Sequence, residues 1–161
     1  MNRQTLYDFG VVLLISRILI CTDGTKCAQQ ALDFGLDLAE KYSAAVTILN
    51  VLETPVFGNP ENPSAAASTG LAGFVKDLRK IHQDILTKEA ERAANLKPNL
   101  KITTELKDGN PPNQIVATAA EGNFDVVVVG HGSESRIREL FLGATSERVA
   151  HLARCAVLIV K

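Results

Sequence analysis

From Arg17 onward, short apolar runs alternate with longer segments in which apolar residues recur every three or four positions. The runs Ile18 to Cys21, Ala45 to Leu52, Leu100 to Leu106, Asp125 to Val129 and Ala156 to Val160 have the length and β-branched content of strands. Between the first two, Ala28, Ala31, Leu32, Gly35, Leu38 and Ala39 form one stripe of a helix from about Lys26 to Lys41, and its small residues suit close packing on a sheet. A second helix is predicted from near Phe74 to before Pro98, with Leu78, Ile81 and Ile85 inward. A third is predicted after Asn110, a capping residue, and Pro111, with Ile115 and Ala119 facing the core and Gly122 at its end. The last runs from about Thr145 to Ala153 and buries Val149 and Leu152.

This alternation calls for an α/β fold: a single, Rossmann-like, open parallel sheet of five strands with helices on both faces. Right-handed crossovers leave few layouts, and the order 3-2-1-4-5 is the expected one. It sets strands 1 and 4 side by side where the winding reverses, so the loops at their carboxyl ends diverge and open a crevice. Asp23 arrives there from one loop and Gly130 to Gly143 from the other. Strand 5 falls at a sheet edge, where unpaired backbone groups invite pairing with a second copy.

The chain of 161 residues is of single-domain size. We read residues 1–16 as an N-terminal extension and residues 17–161 as the domain. The apolar run Val11 to Ile15 is too short to span a bilayer and has no signal-peptide pattern around it. Pro55 to Gly73, rich in Pro, Ala, Ser, Asn and Gly, reads as a flexible loop that also suits a lid. With 17 Lys and Arg against 18 Asp and Glu, and no basic block, the expected partners are neither nucleic acid nor a membrane. Cys21, Cys27 and Cys155 form no metal or disulfide pattern and are read as free thiols in a reducing cytoplasm.

The chemistry concentrates after Val129, where Gly130, His131, Gly132 and Ser133 are followed, beyond a short helical stretch Ile137 to Leu142, by Gly143, Ala144, Thr145 and Ser146. Glycines let backbone approach a ligand, and amides at a helix start bind phosphate oxygens. The same residues also serve as tight turns and helix caps. Asp23, next to Thr22, can accept bonds from a ribose or make an Asx turn for the helix that follows. Dinucleotide, P-loop and hydrolase-elbow signatures are all incomplete, because Ser135 occupies the third glycine of GxGxxG and Ser133 lacks the GxSxG frame.

These residues resemble the universal stress proteins over nearly the whole of Arg17 to Lys161. The resemblance is carried by ILICTDGTKCA at Ile18 to Ala28, by Gly109, Pro111 and Ile115, by Asp125 to Gly130, and by LGATSERVAHLARCAVLIVK at the end. Members that bind ATP show G-x2-G-x9-G-[ST]. Here Gly130 and Gly143 keep that spacing, whereas Ser133 stands at the second glycine and Ala144 at the hydroxyl position, with Gly132, Thr145 and Ser146 adjacent as substitutes. The resemblance implies a cytoplasmic, stress-linked regulatory protein that binds ATP, with magnesium admissible on the phosphates, and that forms a homodimer through strand 156–160. It assigns Asp23 to the ribose, the Val46 backbone to the adenine, and Val129, Gly130, Ser133, Gly143, Ala144 and Thr145 to the phosphates. No residue has the arrangement of a phosphoryl-transfer catalyst, so any hydrolysis is expected to be slow. The two departures also admit a ligand-free dimerisation module of the same fold.

Overall fold

The computed structural model describes residues 15–53, 69–132 and 143–161. Its elements are β1 (Arg17–Cys21), α1 (Lys26–Tyr42), β2 (Ala45–Leu52), α2 (Thr69–Leu96), β3 (Ile102–Asp108), α3 (Pro111–Glu121), β4 (Val126–Gly130), α4 (Ala144–Leu152) and β5 (Ala156–Val160). The sheet has five strands in the order β3-β2-β1-β4-β5, all parallel. This is the expected α/β architecture.

Alternation along the strands divides the core into two layers. Ile18, Ile20, Val46, Ile48, Val126 and Val128 pack under α1 and α2, while Leu19, Leu49, Val127 and Val129 pack with Phe124 against α3 and α4. β1 and β4 are therefore apolar on both faces, as central parallel strands must be. On α1 the small-residue stripe brings the helix down onto β1, because a Cβ at Gly35 would meet Ile20 Cδ1 at 2.5 Å. The pairing of β1 with β4 is fastened at its start by Asp125. One oxygen of its carboxylate accepts from the Ser16 amide and hydroxyl, each at 2.9 Å, and from the Arg17 amide at 3.0 Å.

Several local expectations change. Ile15 packs against the core and Ser16 bonds Asp125, so the fold begins before Arg17. The run predicted as loop to Gly73 is already helical from Thr69, and residues 55–68 of it lie outside the described residues, as do 1–14 and 137–142. Ile81, expected inward on α2, is 54% exposed, and the buried positions are Leu86, Glu89 and Ala93. Leu152 on α4 is also exposed, while Val149 is buried. On α1, Leu36 is buried and Leu38 only partly so. Asn110 holds the N-cap position of α3 without a side-chain bond. Gly122 does end α3, in right-handed conformation, because Phe124 folds back over it and would lie 2.3 Å from any Cβ there.

Glu89 can be buried because polar partners meet it between α1 and α2. Its Oε1 accepts from Gln29 Nε2 at 3.0 Å, and Arg92, within 3.6 Å of its other oxygen, also bonds Asp33 at 2.7 Å. These contacts set the face that α2 presents to the sheet. Accordingly, Leu86→Ala is expected to cost about 2–5 kcal/mol as a large-to-small core change, and Ile81→Ala roughly 0.5 kcal/mol or less as a surface change. Urea unfolding of the two variants checks this ranking.

Candidate functional site

Where β1 and β4 part, their carboxyl-end loops enclose a crevice of about 320 Å³. Its near wall is the turn after β1. The Thr22 amide donates to the Leu49 carbonyl at 2.9 Å, which ties the turn to β2, and the Thr22 hydroxyl accepts from the Gly24 amide at 3.2 Å. Asp23 Oδ1 accepts from the Thr25 amide at 3.0 Å and from its hydroxyl at 2.6 Å, an Asx turn. Thr25 then caps α1, accepting from the Ala28 amide at 3.3 Å. The Asx reading of Asp23 thus holds locally, yet Asp23 stays exposed on the crevice wall, and one carboxylate oxygen carries both bonds of the turn. Ile85 of α2 supports this turn from behind, with its side chain 3.3 Å from where a Gly24 Cβ would lie.

The far wall is made of backbone. A Cβ at Gly130 would sit 2.9 Å from both the carbonyl carbon and oxygen of Cys27, so only glycine lets the end of β4 lie against the first turn of α1. Gly132 has φ +81°, in the left-handed region. The Gly143 amide then donates to the His131 carbonyl at 2.7 Å, joining the two glycine segments into one cradle. Gly143 is also the N-cap of α4 and offers no side chain to its amides. The buried Ser146 hydroxyl is directed to the carbonyls of Gly143 and His131, at 2.9 and 3.3 Å. The first turn of α4 therefore faces the crevice with no side-chain cap of its own, which suits an anion. Among the described lining residues, Asp23 is the one charged group, so an anionic ligand there is met by amide dipoles and a distal carboxylate rather than by lysine or arginine.

Of the residues singled out in the sequence, Thr22, Asp23, Val129, Gly130, Gly132, Gly143, Ala144, Thr145 and Ser146 line this crevice. Ser133 lies outside the described residues. Val46 does not line it, which is a correction. Val46 stands opposite Ile18 at the start of β2, its amide donates to the Lys101 carbonyl at 2.9 Å, and its own carbonyl accepts from the Thr103 hydroxyl at 3.3 Å. The crevice opens at the other end of the strand, where Leu49 and Val51 supply an apolar wall together with Ile115. The rule that ligands bind at strand carboxyl ends carried the signal for these two. Cys21 and Cys27 also line the crevice.

A model of the universal stress protein family matches residues 15–161. The chain belongs to the universal stress protein family. One relative in it is the universal stress protein MJ0531 of Methanocaldococcus jannaschii, 30% identical over 149 residues that cover 92% of this chain and 83% of that one. Among solved structures, the universal stress protein UspA from Lactobacillus plantarum shares the fold with a TM-score of 0.78 at 20% identity, over 93% of this chain and all of that one. A universal stress protein solved in complex with cAMP aligns with a TM-score of 0.68 at 23% identity, over 92% of this chain and 98% of that one.

The Cys21 thiol, at the end of β1, is pushed well above its ordinary value of 9.0 by loss of hydration among its neighbours. It stays protonated in the fold while the unfolded chain releases its proton above 9.0. Its contribution to stability is therefore complete below pH 9.0 and is lost as pH rises beyond it. Urea unfolding between pH 8 and pH 10.5 is expected to show a steeper loss of stability for the parent protein than for Cys21→Ala.

Proposed function

We propose that this universal stress protein binds an adenine nucleotide, ATP, in the crevice between β1 and β4, and acts as a regulatory protein of the stress response. The observation that carries the reading is the backbone cradle. Gly130, Gly132 and Gly143 bring backbone unshielded by side chains to one wall, and the start of α4 is left without a side-chain cap. In this reading the phosphates lie on Gly130, Gly132 and the Gly143–Thr145 turn, and Ser133 belongs to the same group. Asp23 receives the ribose hydroxyls, and the base rests on Leu49 and Val51 rather than at Val46. The cAMP held by the structural neighbour supports an adenine nucleotide as the ligand class. Asp23 is the sole carboxylate among the described lining residues, so a magnesium ion would be held chiefly by the phosphates. Ala144 brings no hydroxyl and Ser146 spends its own on backbone, which leaves Thr145 as the hydroxyl at the cradle.

The same reading includes a cytoplasmic homodimer. Among the described residues β5 pairs with β4 alone, and its outer edge carries the apolar sequence AVLIV on a half-buried strand. A second copy pairing along Ala156–Val160 would cover that edge.

Titration calorimetry with ATP, AMP and tripolyphosphate tests the site. Heat with both nucleotides is expected, weakened by about tenfold or more in Asp23→Ala and Gly130→Val through loss of a charged hydrogen-bond acceptor and of the cradle. No heat with millimolar ATP would favour the ligand-free dimerisation module instead. For assembly, sedimentation velocity at micromolar concentration is expected to show a dimer that Leu158→Lys dissociates. A parent protein that sediments only as monomer would overturn the edge pairing.

A further inference from the structure

Cys27 is the second residue of α1 and lines the crevice directly beneath Gly130. Its Sγ lies 3.9 Å from His131 Nε2. The other ring nitrogen, Nδ1, is 3.2 Å from the Val160 carbonyl oxygen, and a carbonyl only accepts, so Nδ1 carries the proton. In the neutral imidazole that leaves Nε2 as a lone-pair acceptor aimed at the thiol. A nucleophile that lines the cavity, a base fixed in one tautomer, and a strand carbonyl that fixes it are therefore in mutual contact. The nucleotide reading uses none of these three groups. Cys21, in the same crevice, is held as a desolvated thiol.

We propose that Cys27 is a thiol–disulfide exchange site activated by His131, with small-molecule disulfides as its co-reactant, and that its modification closes the nucleotide crevice. In the reaction His131 Nε2 takes the thiol proton as Cys27 Sγ attacks one sulfur of the disulfide. The sulfur–sulfur bond of the reagent breaks, a new one forms to Cys27, and the departing thiolate recovers the proton from His131. Cys27 sulfur is oxidised and the leaving sulfur reduced, so no further oxidant is needed. Negative charge on the attacking sulfur is met by the amide end of α1. The substituent then occupies the space between Thr25, Ala28 and Gly130, where the phosphates lie in the proposed complex. This last consequence rests on the nucleotide reading, whereas the exchange chemistry does not.

The test is reaction of the folded protein with 2-hydroxyethyl disulfide, followed by intact mass and by peptide mapping. The first equivalent is expected on Cys27, ahead of Cys21 and Cys155, and Cys27→Ser is expected to lose that fast phase. His131→Asn keeps an amide donor in reach of the Val160 carbonyl but has no group at Nε2. It is expected to slow the exchange by about tenfold or more while melting at the parent temperature. First labelling on Cys21 or Cys155, or an unchanged rate in a folded His131→Asn, would overturn the proposal. Saturating ATP is expected to slow labelling of Cys27 by about tenfold, in proportion to site occupancy. Fast labelling that ATP leaves unaltered would keep the thiol chemistry and reject the nucleotide site. ATP binding by calorimetry without selective labelling would do the reverse.

Discussion

The contact between Gly130 and the first turn of α1 is the constraint from which the crevice follows. β4 must end against the backbone of Cys27 and Ala28, and a Cβ at 130 would stand 2.9 to 3.1 Å from the atoms there. Because that approach is allowed, the chain leaves β4 low over the sheet, His131 bonds the end of β5, and Gly143 returns to the His131 carbonyl to start α4. Two helix starts, those of α1 and α4, are thereby brought to one hollow at the point where the winding of the sheet reverses. A larger residue at 130 would separate them, and with them the Asp23 turn from the glycine cradle.

The rest of the fold serves this junction. Asp125 fastens the beginning of β4 to Ser16 and Arg17, so β1 and β4 stay in register up to the crevice. The Thr22 amide, bonded to Leu49, fixes the Asp23 turn to β2. Ile85 of α2 backs Gly24, and α2 is itself oriented on α1 through Gln29, Glu89, Arg92 and Asp33. On the same side, His82 of α2 holds the buried Asn50 of β2 at 2.6 Å. The outcome is a backbone wall facing one carboxylate, the arrangement on which the proposed nucleotide site rests.

Much of this was legible in the sequence. Five apolar runs separated by amphipathic segments admit few topologies, and these bring together Asp23 and Gly130 at the ends of two strands and Gly143, Thr145 and Ser146 at the start of a helix. What escaped has definite causes. Val46 was placed at the site by resemblance, whereas the parallel register puts Leu49 opposite Cys21 and so moves the crevice toward Val51. Ile81 lies one turn from Ile85 and looked inward by period alone. The inward face is set by Glu89, a carboxylate whose burial depends on Gln29 from another helix and Arg92 on its own. The pairing of Cys27 with His131 joins residues far apart in the chain, and no local spacing announces it.

Binding of an adenine nucleotide where β1 and β4 diverge is the proposal on which the functional reading stands. The most direct measurement is an ATP titration followed by amide chemical shifts of the labelled protein. Shifts that saturate together in Cys21–Cys27, Gly130–Gly132, Gly143–Ser146 and the Leu49–Val51 segment are the predicted result. Shifts confined to the second hollow between α3 and α4, about 610 Å³ and lined by Val116, Ala120, Leu152 and Arg154 among others, or no shifts at millimolar ATP, would contradict it.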